Sequence, residues 1–222
     1  MSDIVKQTGF TLLAGRKPIA NGAVRDVWDR PGHPDQILKT IRAHKRIKYA
    51  QRGVFGRAID HFRLGPYGTF RIEAQCYLKT AYKCVRQNLP MPIAEIGGLV
   101  LTDRGLAQVG EKITNKKGAL AETLDSILRR SGLDQQHLTW LNEFAHTLFE
   151  VNANVPDLRA VNVVLDEQND RFVLIDGYGD KTLLPIRTWI KPLNQKNLST
   201  QFEDMEKYGG LTWHSETKSF SI

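Results

Sequence analysis

The apolar residues of this chain change their spacing partway along, and no single regular architecture accommodates both patterns. Up to about residue 105, short apolar runs are cut by turn residues about every 8 to 15 positions, as in a set of short strands. Residues 15–20, 24–28 and 37–41 read as three strands of a small antiparallel meander, turning first around Gly22 and then through RPGHPDQ. MPIAEIG and GLVLTDRGLA read as two more. Before them, FRIEAQCYLKTAYKCV sets Ala74, Leu78, Ala81 and Val85 at helical spacing, which predicts one amphipathic helix packed on the sheet.

After residue 105 the period lengthens. Leu120, Leu124, Ile127 and Leu128, then Leu138, Leu141, Ala145 and Leu148, mark two helices separated by Ser131-Gly132. A polar loop over 152–162, a strand over 163–165, the turn DEQND, a strand over 171–175 and a helix near 196–208 complete the reading. The expected class is α+β in two parts with a boundary near 103–108. Residues 1–105 form a β-rich part with one helix and a basic insertion at 42–71; residues 106–222 form a mostly helical part containing one β-hairpin.

At 222 residues, 41% apolar and 25% charged, the chain is long enough to bury a sizeable core. No apolar run approaches the roughly 20 residues of a membrane helix, and MSDIVKQTGF lacks a basic region followed by an apolar one. Cys76 and Cys84 make no disulfide framework, because eight helical residues at about 1.5 Å rise separate them by about 12 Å. Free thiols and the missing leader together predict a cytoplasmic protein.

Charge is unevenly placed. The net +7 resides in residues 42–71, where Arg42, Lys45, Arg46, Lys48, Arg52, Arg57, Arg63 and Arg71 face Asp60 alone, with Tyr49, Phe55, Phe62, Tyr67 and Phe70 interleaved. Such a segment attracts phosphates, an anionic surface or nucleic acid. No recognised nucleic-acid motif accompanies it, so nucleic acid is the weakest of the three, and a solvated basic face explains the run equally well.

In DLRAVNVVLDEQNDRFVLIDGYG, Asn162 precedes the first strand of the hairpin and Asp176 follows the second, so a tight turn brings both to the hairpin's open mouth. A carboxylate and an amide carbonyl suit Mg²⁺, which keeps waters and completes its shell with phosphate oxygens. Asp157, just upstream, is a candidate base for a hydroxyl proton, and Arg159 adds a positive charge beside it. Asp and Asn also flank strands as ordinary turn formers, so the hairpin alone decides nothing. A second set of residues adds to it: Lys39 is a lone charge inside the apolar strand ILKTI, and no Glu occurs before Glu73, in the first turns of the amphipathic helix. The chain has no GxxxxGK[ST] loop, no GxGxxG and no HExxH, and His33, His44, His61, His137, His146 and His214 read as surface or packing residues.

In this order the residues resemble the protein-kinase signature set. IANGAVRDV resembles the phosphate-covering loop through Gly22, Lys39 resembles the strand-three lysine and Glu73 its helix partner. DLRAVN resembles DLKPxN, which implies a catalytic-base role for Asp157, a place near the γ-phosphate for Arg159 and a metal-ligand role for Asn162. Asp176 in IDGYG resembles the metal-binding Asp. Over nearly the whole chain the closer resemblance is to the bacterial PhoP regulatory network protein (YrbL) family of small kinase-like proteins, carried by ANGAVRDVW, RIEAQCYLK, DLRAVNVVL and DGYGDKTLLPIRTW.

That resemblance implies a reduced bilobal protein kinase-like fold with ATP and Mg²⁺ as cofactors. The function it leads us to expect is transfer of a phosphoryl group to a small-molecule or glycan hydroxyl, the acceptor being anionic, such as a phosphorylated sugar or lipopolysaccharide core. The alternative is a pseudokinase that binds nucleotide silently and serves a regulatory role in a bacterial stress or low-magnesium response. The departures are as specific as the matches. Val155-Pro156 stands where HR usually precedes the Asp, the glycine of IDGYG falls one place early, no APE-like motif follows, and only 65 residues follow Asp157.

Overall fold

The computed structural model describes residues 10–53, 64–179 and 190–222, and within them the chain is α+β, with five α-helices and nine strands. It divides into two compact units that are not consecutive halves. One comprises residues 1–71 with Glu95–Lys112, the other Ile72–Ala94 with Ile113–Ile222. Among the described residues no helix is long and apolar enough to cross a membrane.

The first unit is built on an antiparallel sheet of β1 (Ala20–Asn21), β2 (Arg25–Arg30), β3 (His33–Ile41), β4 (Ile96–Thr102) and β5 (Gly105–Glu111), in the order β1-β2-β3-β5-β4. Leu38 pairs in register with Trp28 on one side and Val109 on the other, so all three point to one face, where Leu13 and Ala107 close an apolar cluster around them. The Trp28 indole meets its polar requirement there by donating to the Thr40 hydroxyl at 2.9 Å.

Two strand expectations need correction. The first strand shrinks from 15–20 to Ala20–Asn21, and the strands read over 91–107 resolve differently, because Gly97-Gly98 is no turn. The pair lies inside β4, where the register with β5 shifts between Ile96 and Leu99. A Cβ at Gly97 would come 2.9 Å from a Val109 methyl. Glycine there marks an irregularity with close backbone approach, and the real turn is Asp103-Arg104, where the Thr102 hydroxyl accepts the Arg104 N–H at 3.0 Å. Helix α1 (Ala43–Ala50) follows β3 and buries none of its residues.

The second unit holds most of α2 (Gly68–Gln87), α3 (Leu124–Arg130), α4 (Gln135–Glu150), the hairpin β6 (Val163–Asp166) and β7 (Arg171–Leu174), and α5 (Lys191–Glu203). It ends in a hairpin that the sequence reading missed, β8 (Thr212–His214) with β9 (Ser219–Ser221). Thr123 caps α3 by accepting the Ser126 N–H at 3.1 Å, and Asp134 caps α4 by accepting that of His137 at 2.8 Å. The rows Leu124, Ile127, Leu128 and Leu138, Leu141, Ala145, Leu148 are buried as their spacing requires, whereas Leu120 stays exposed in the preceding loop. Helix α5 begins five residues earlier than the expected 196, and a 3₁₀ turn, Glu206–Tyr208, follows it.

Helix α2 forms where expected, yet its buried side is the opposite one. Glu73, Cys76, Thr80 and Cys84 are buried, while Leu78 and Val85 are 70% and 82% exposed and Ala74 is exposed too. In this row the two cysteines find backbone partners: the Cys76 thiol lies 3.5 Å from the Asn154 carbonyl and the Cys84 thiol 3.5 Å from that of Pro90. Close backbone approach selects these residues over the bulkier row that hydropathy favours. Both cysteines are free thiols, as expected.

The C-terminal hairpin seats Trp213 and Phe220 on Phe149 of α4 and Phe202 of α5. Trp213 stacks on Phe202 at 4.7 Å between ring centroids, and Phe220 meets Phe202 edge-on at 5.6 Å. Asn142 fixes the hairpin like a strand partner, donating to the Phe220 carbonyl at 3.0 Å and accepting the Phe220 N–H at 2.7 Å. Trp28 and Trp213 are therefore core, Trp140 is half-buried with its ring edge-on to His137, and Trp189 lies outside the described residues.

Candidate functional site

The second unit brings three of the expected residues to one end of a hairpin. Val163 pairs with Leu174, and just beyond that pair the Ile175 N–H donates to the Asn162 carbonyl at 2.9 Å, so Asn162 and Asp176 flank the open mouth. The upstream loop is tied to the same place. The Asp157 N–H donates to the Gly177 carbonyl at 3.1 Å, and the Asn162 side-chain amide donates to the Asp157 carbonyl at 2.9 Å. Because its NH₂ group is committed, the Asn162 carbonyl oxygen has a fixed direction. The Asp176 carboxylate is fixed too, accepting the Gly177 N–H at 2.7 Å.

Gly177 is the residue whose importance the sequence reading missed. It has φ +86°, and a Cβ on it would overlap the Asp157 carbonyl oxygen and lie 2.8 Å from the Asn162 amide nitrogen. The early glycine of IDGYG is thus what lets the two loops close on each other, and the Asp-Gly dipeptide was the available signal.

Asp157 is half exposed and its carboxylate is engaged at both oxygens by Arg159, with Nε 2.7 Å from one and Nη2 2.9 Å from the other. Such two-point pairing is the strong form of a guanidinium–carboxylate contact, although solvent screens it here. Among the described residues no group of three or more His, Cys, Asp or Glu side chains comes together as a metal cluster. Asn162 and Asp176 by themselves offer two hard oxygen ligands, a set that fits a cation which keeps waters and takes the remainder of its shell from a ligand.

In the first unit, Lys39 lies in β3 opposite Val27 and Gln108. It is half-buried and points to the face away from the Trp28–Leu38–Val109 cluster. Arg25, paired with Ile41, shares that face two residues along, and Arg25 and Gln108 are both buried. These two polar neighbours of Lys39 were absent from the sequence reading; the two-residue strand period, carried through the hairpin register, points to them. Gly22 sits in the turn joining β1 and β2, its N–H donating to the Arg25 carbonyl at 2.8 Å and its own carbonyl accepting from Arg42 at 3.0 Å.

Glu73, in the second unit, is 1% exposed and is the one acidic residue of α2. Lys83, three turns along the same helix, donates to the Val151 carbonyl at 2.6 Å, and burial holds its ammonium below the ordinary lysine range.

The basic segment is less uniform than its sequence. Arg42 pairs with Asp26 at 3.4 Å, Arg52 stacks over the Tyr49 ring at 4.0 Å, and Phe70 is buried beside Tyr67. Phe55, Arg57, Asp60, His61, Phe62 and Arg63 lie outside the described residues, as does the stretch from Asp180 to Trp189 in the last resembling motif.

No curated protein matches the chain. The model of the family described as PhoP regulatory network protein YrbL matches residues 11–209, and the chain belongs to that family.

Proposed function

We propose that this member of the family is a Mg²⁺-dependent, ATP-utilising phosphotransferase of reduced bilobal kinase-like architecture, acting on the hydroxyl of an anionic small molecule or glycan. The observation that supports this reading most is the mutual bracing of Asp157, Asn162, Asp176 and Gly177 at the hairpin mouth. It fixes the Asn162 amide oxygen and the Asp176 carboxylate at one mouth and ties the Asp157 backbone to the same place. Asn162 and Asp176 would hold the metal ion, which would supply positive charge to offset that of the phosphates.

In this reading Lys39 anchors the α and β phosphates, Gly22 allows backbone approach to them, and Glu73 serves nucleotide binding from its own unit. Asp157 accepts the proton of the acceptor hydroxyl at its carboxylate, and Arg159 neutralises charge on the group in transfer. Catalysis is then positioning plus electrostatics.

The two-point hold of Arg159 on Asp157 favours a second reading, nucleotide binding without turnover and a regulatory role. Two experiments separate the readings. Thermal unfolding with Mg²⁺-ATP at about 100 times its dissociation constant adds about 2.7 kcal/mol of stability to a binding protein. The rise should be present in the native chain and lost in Asp176→Ala; no rise at millimolar nucleotide refutes both. ATP consumption in the presence of phosphorylated sugars then decides between them. Turnover that Asp157→Ala abolishes supports the phosphotransferase; binding without turnover supports the silent module.

A further inference from the structure

Helix α2 leaves an apolar row in water. Leu78, Tyr82 and Val85 follow each other at i, i+4 and i+7 and are 70, 61 and 82% exposed, and Ala74 continues the row one turn earlier. Arg71, Lys79 and Arg86 border it and are exposed as well. The Arg86 guanidinium leans over the Tyr82 ring, 5.8 Å from its centroid. The helix's one acidic residue, Glu73, is buried. The solvent face therefore has an apolar row with Lys79 and Arg86 along one edge and Arg71 at its N-terminal end, and no carboxylate of its own.

We propose that this face of α2 docks on an anionic lipid surface, with Leu78, Tyr82 and Val85 entering the headgroup boundary and Arg71, Lys79 and Arg86 meeting the lipid phosphates. Charge argues against the main competing occupant, a second copy of the chain. A two-fold antiparallel pairing centred on Lys79, midway along the face, would set Arg71 beside Arg86 of the other copy and Lys79 beside Lys79, which is repulsive at all three places. A bilayer accepts a convex ridge and supplies the missing negative charge, and tyrosine suits the depth at which its hydroxyl stays wet.

The other unit carries the same chemistry independently. Helix α1 holds Lys45, Arg46 and Lys48 with no acid, and its Ile47 is 55% exposed. Against an overall charge of +7, this adds to the long-range attraction toward an anionic surface. The proposal stands apart from phosphoryl transfer and holds for either functional reading.

The test is sedimentation of the full chain with phosphatidylcholine vesicles and with mixed phosphatidylcholine and phosphatidylglycerol vesicles. Binding to the mixed vesicles should exceed that to phosphatidylcholine by about tenfold or more and weaken steeply with salt. The double variant Leu78→Glu, Val85→Glu should lose most of it while its unfolding midpoint stays that of the native chain, since both positions are exposed. A Tyr82→Trp variant gives a local readout, with a blue-shifted emission expected on mixed vesicles only. No sedimentation with mixed vesicles overturns the proposal. So does full binding by the double variant, or binding with no shift at position 82, which would move the contact to another basic segment. An acidic amphipathic peptide that competes for the face while vesicles do not bind would assign it to a protein partner instead.

Discussion

Replacing Gly177 with alanine puts a methyl group where the Asp157 carbonyl oxygen already stands. Two costs add. At φ +86° an L-residue pays the left-handed penalty of about 1 to 2 kcal/mol. The overlap then forces the two loops apart, which gives up the Asp157 N–H to Gly177 bond at 3.1 Å and the Asn162 to Asp157 bond at 2.9 Å, about 1 kcal/mol each. The sum is about 3 to 4 kcal/mol, a large fraction of the roughly 5 to 15 kcal/mol that holds an ordinary protein folded. Gly118→Ala is the control. That glycine also has φ +78°, but nothing lies within 4 Å of the added methyl, so only the first cost of about 1 to 2 kcal/mol applies. Urea titrations of both variants give the two losses, and heating should show them as drops of about 6 to 16 °C against about 2 to 8 °C, at about 2 to 4 °C per kcal/mol for a chain of this size. Equal losses would refute the claim that Gly177 is a packing requirement of the Asp157–Asn162 junction. On the function proposed above, stabilisation by Mg²⁺-ATP should be absent in Gly177→Ala and present in Gly118→Ala.

Thr123→Ala removes the cap that accepts the Ser126 N–H and should lower stability by about 1 kcal/mol, read as a shifted urea midpoint at unchanged slope. Phe202→Ala empties the space between Phe149, Trp213 and Phe220 and should cost about 3 to 5 kcal/mol, with a red shift of tryptophan emission as Trp213 becomes wet. Burial pushes the Cys76 and Cys84 thiols up from their ordinary range, so iodoacetamide should label them slowly at neutral pH and rapidly in denaturant. For a raised thiol the stability contribution is complete below the ordinary thiol range and is lost as pH rises through the folded value. Unfolding free energy should therefore fall more steeply with pH above the ordinary thiol range in the native chain than in Cys76→Ala.

Period and turn chemistry located both central helices, the β6–β7 hairpin and the β2–β3 pair, because each of these buries a side that hydropathy identifies. They failed where burial was chosen by something else. In α2 the buried row is Glu73, Cys76, Thr80 and Cys84, of which the two thiols meet backbone carbonyls, and an apolar count ranks it below the row left in water. At Gly97-Gly98 two glycines look like punctuation when they are a concession to Val109. The strands β8 and β9 are three residues each, too short for any alternation to register, although Trp213 and Phe220 hold one of the tightest aromatic groups in the second unit. The hairpin mouth was legible because a tight turn makes sequence neighbours of its outer ends into spatial neighbours. Arg25 and Gln108 were not, since they approach Lys39 only through a strand register that no local pattern states.

The aromatic group under the C-terminal hairpin also sets a schedule for synthesis. Phe149 is made 71 residues before Phe220, so at about 5 to 20 residues per second α4 emerges about 4 to 14 s before the residue that covers it. During that interval Phe149 and, later, Phe202 have no lid, and Asn142 has no strand to hold. Until the strands β8 and β9 are free to dock, this apolar surface is open to chaperones and proteases. A released chain truncated before Trp213 should thus give a lower yield of folded protein than one shortened only by the exposed Ile222.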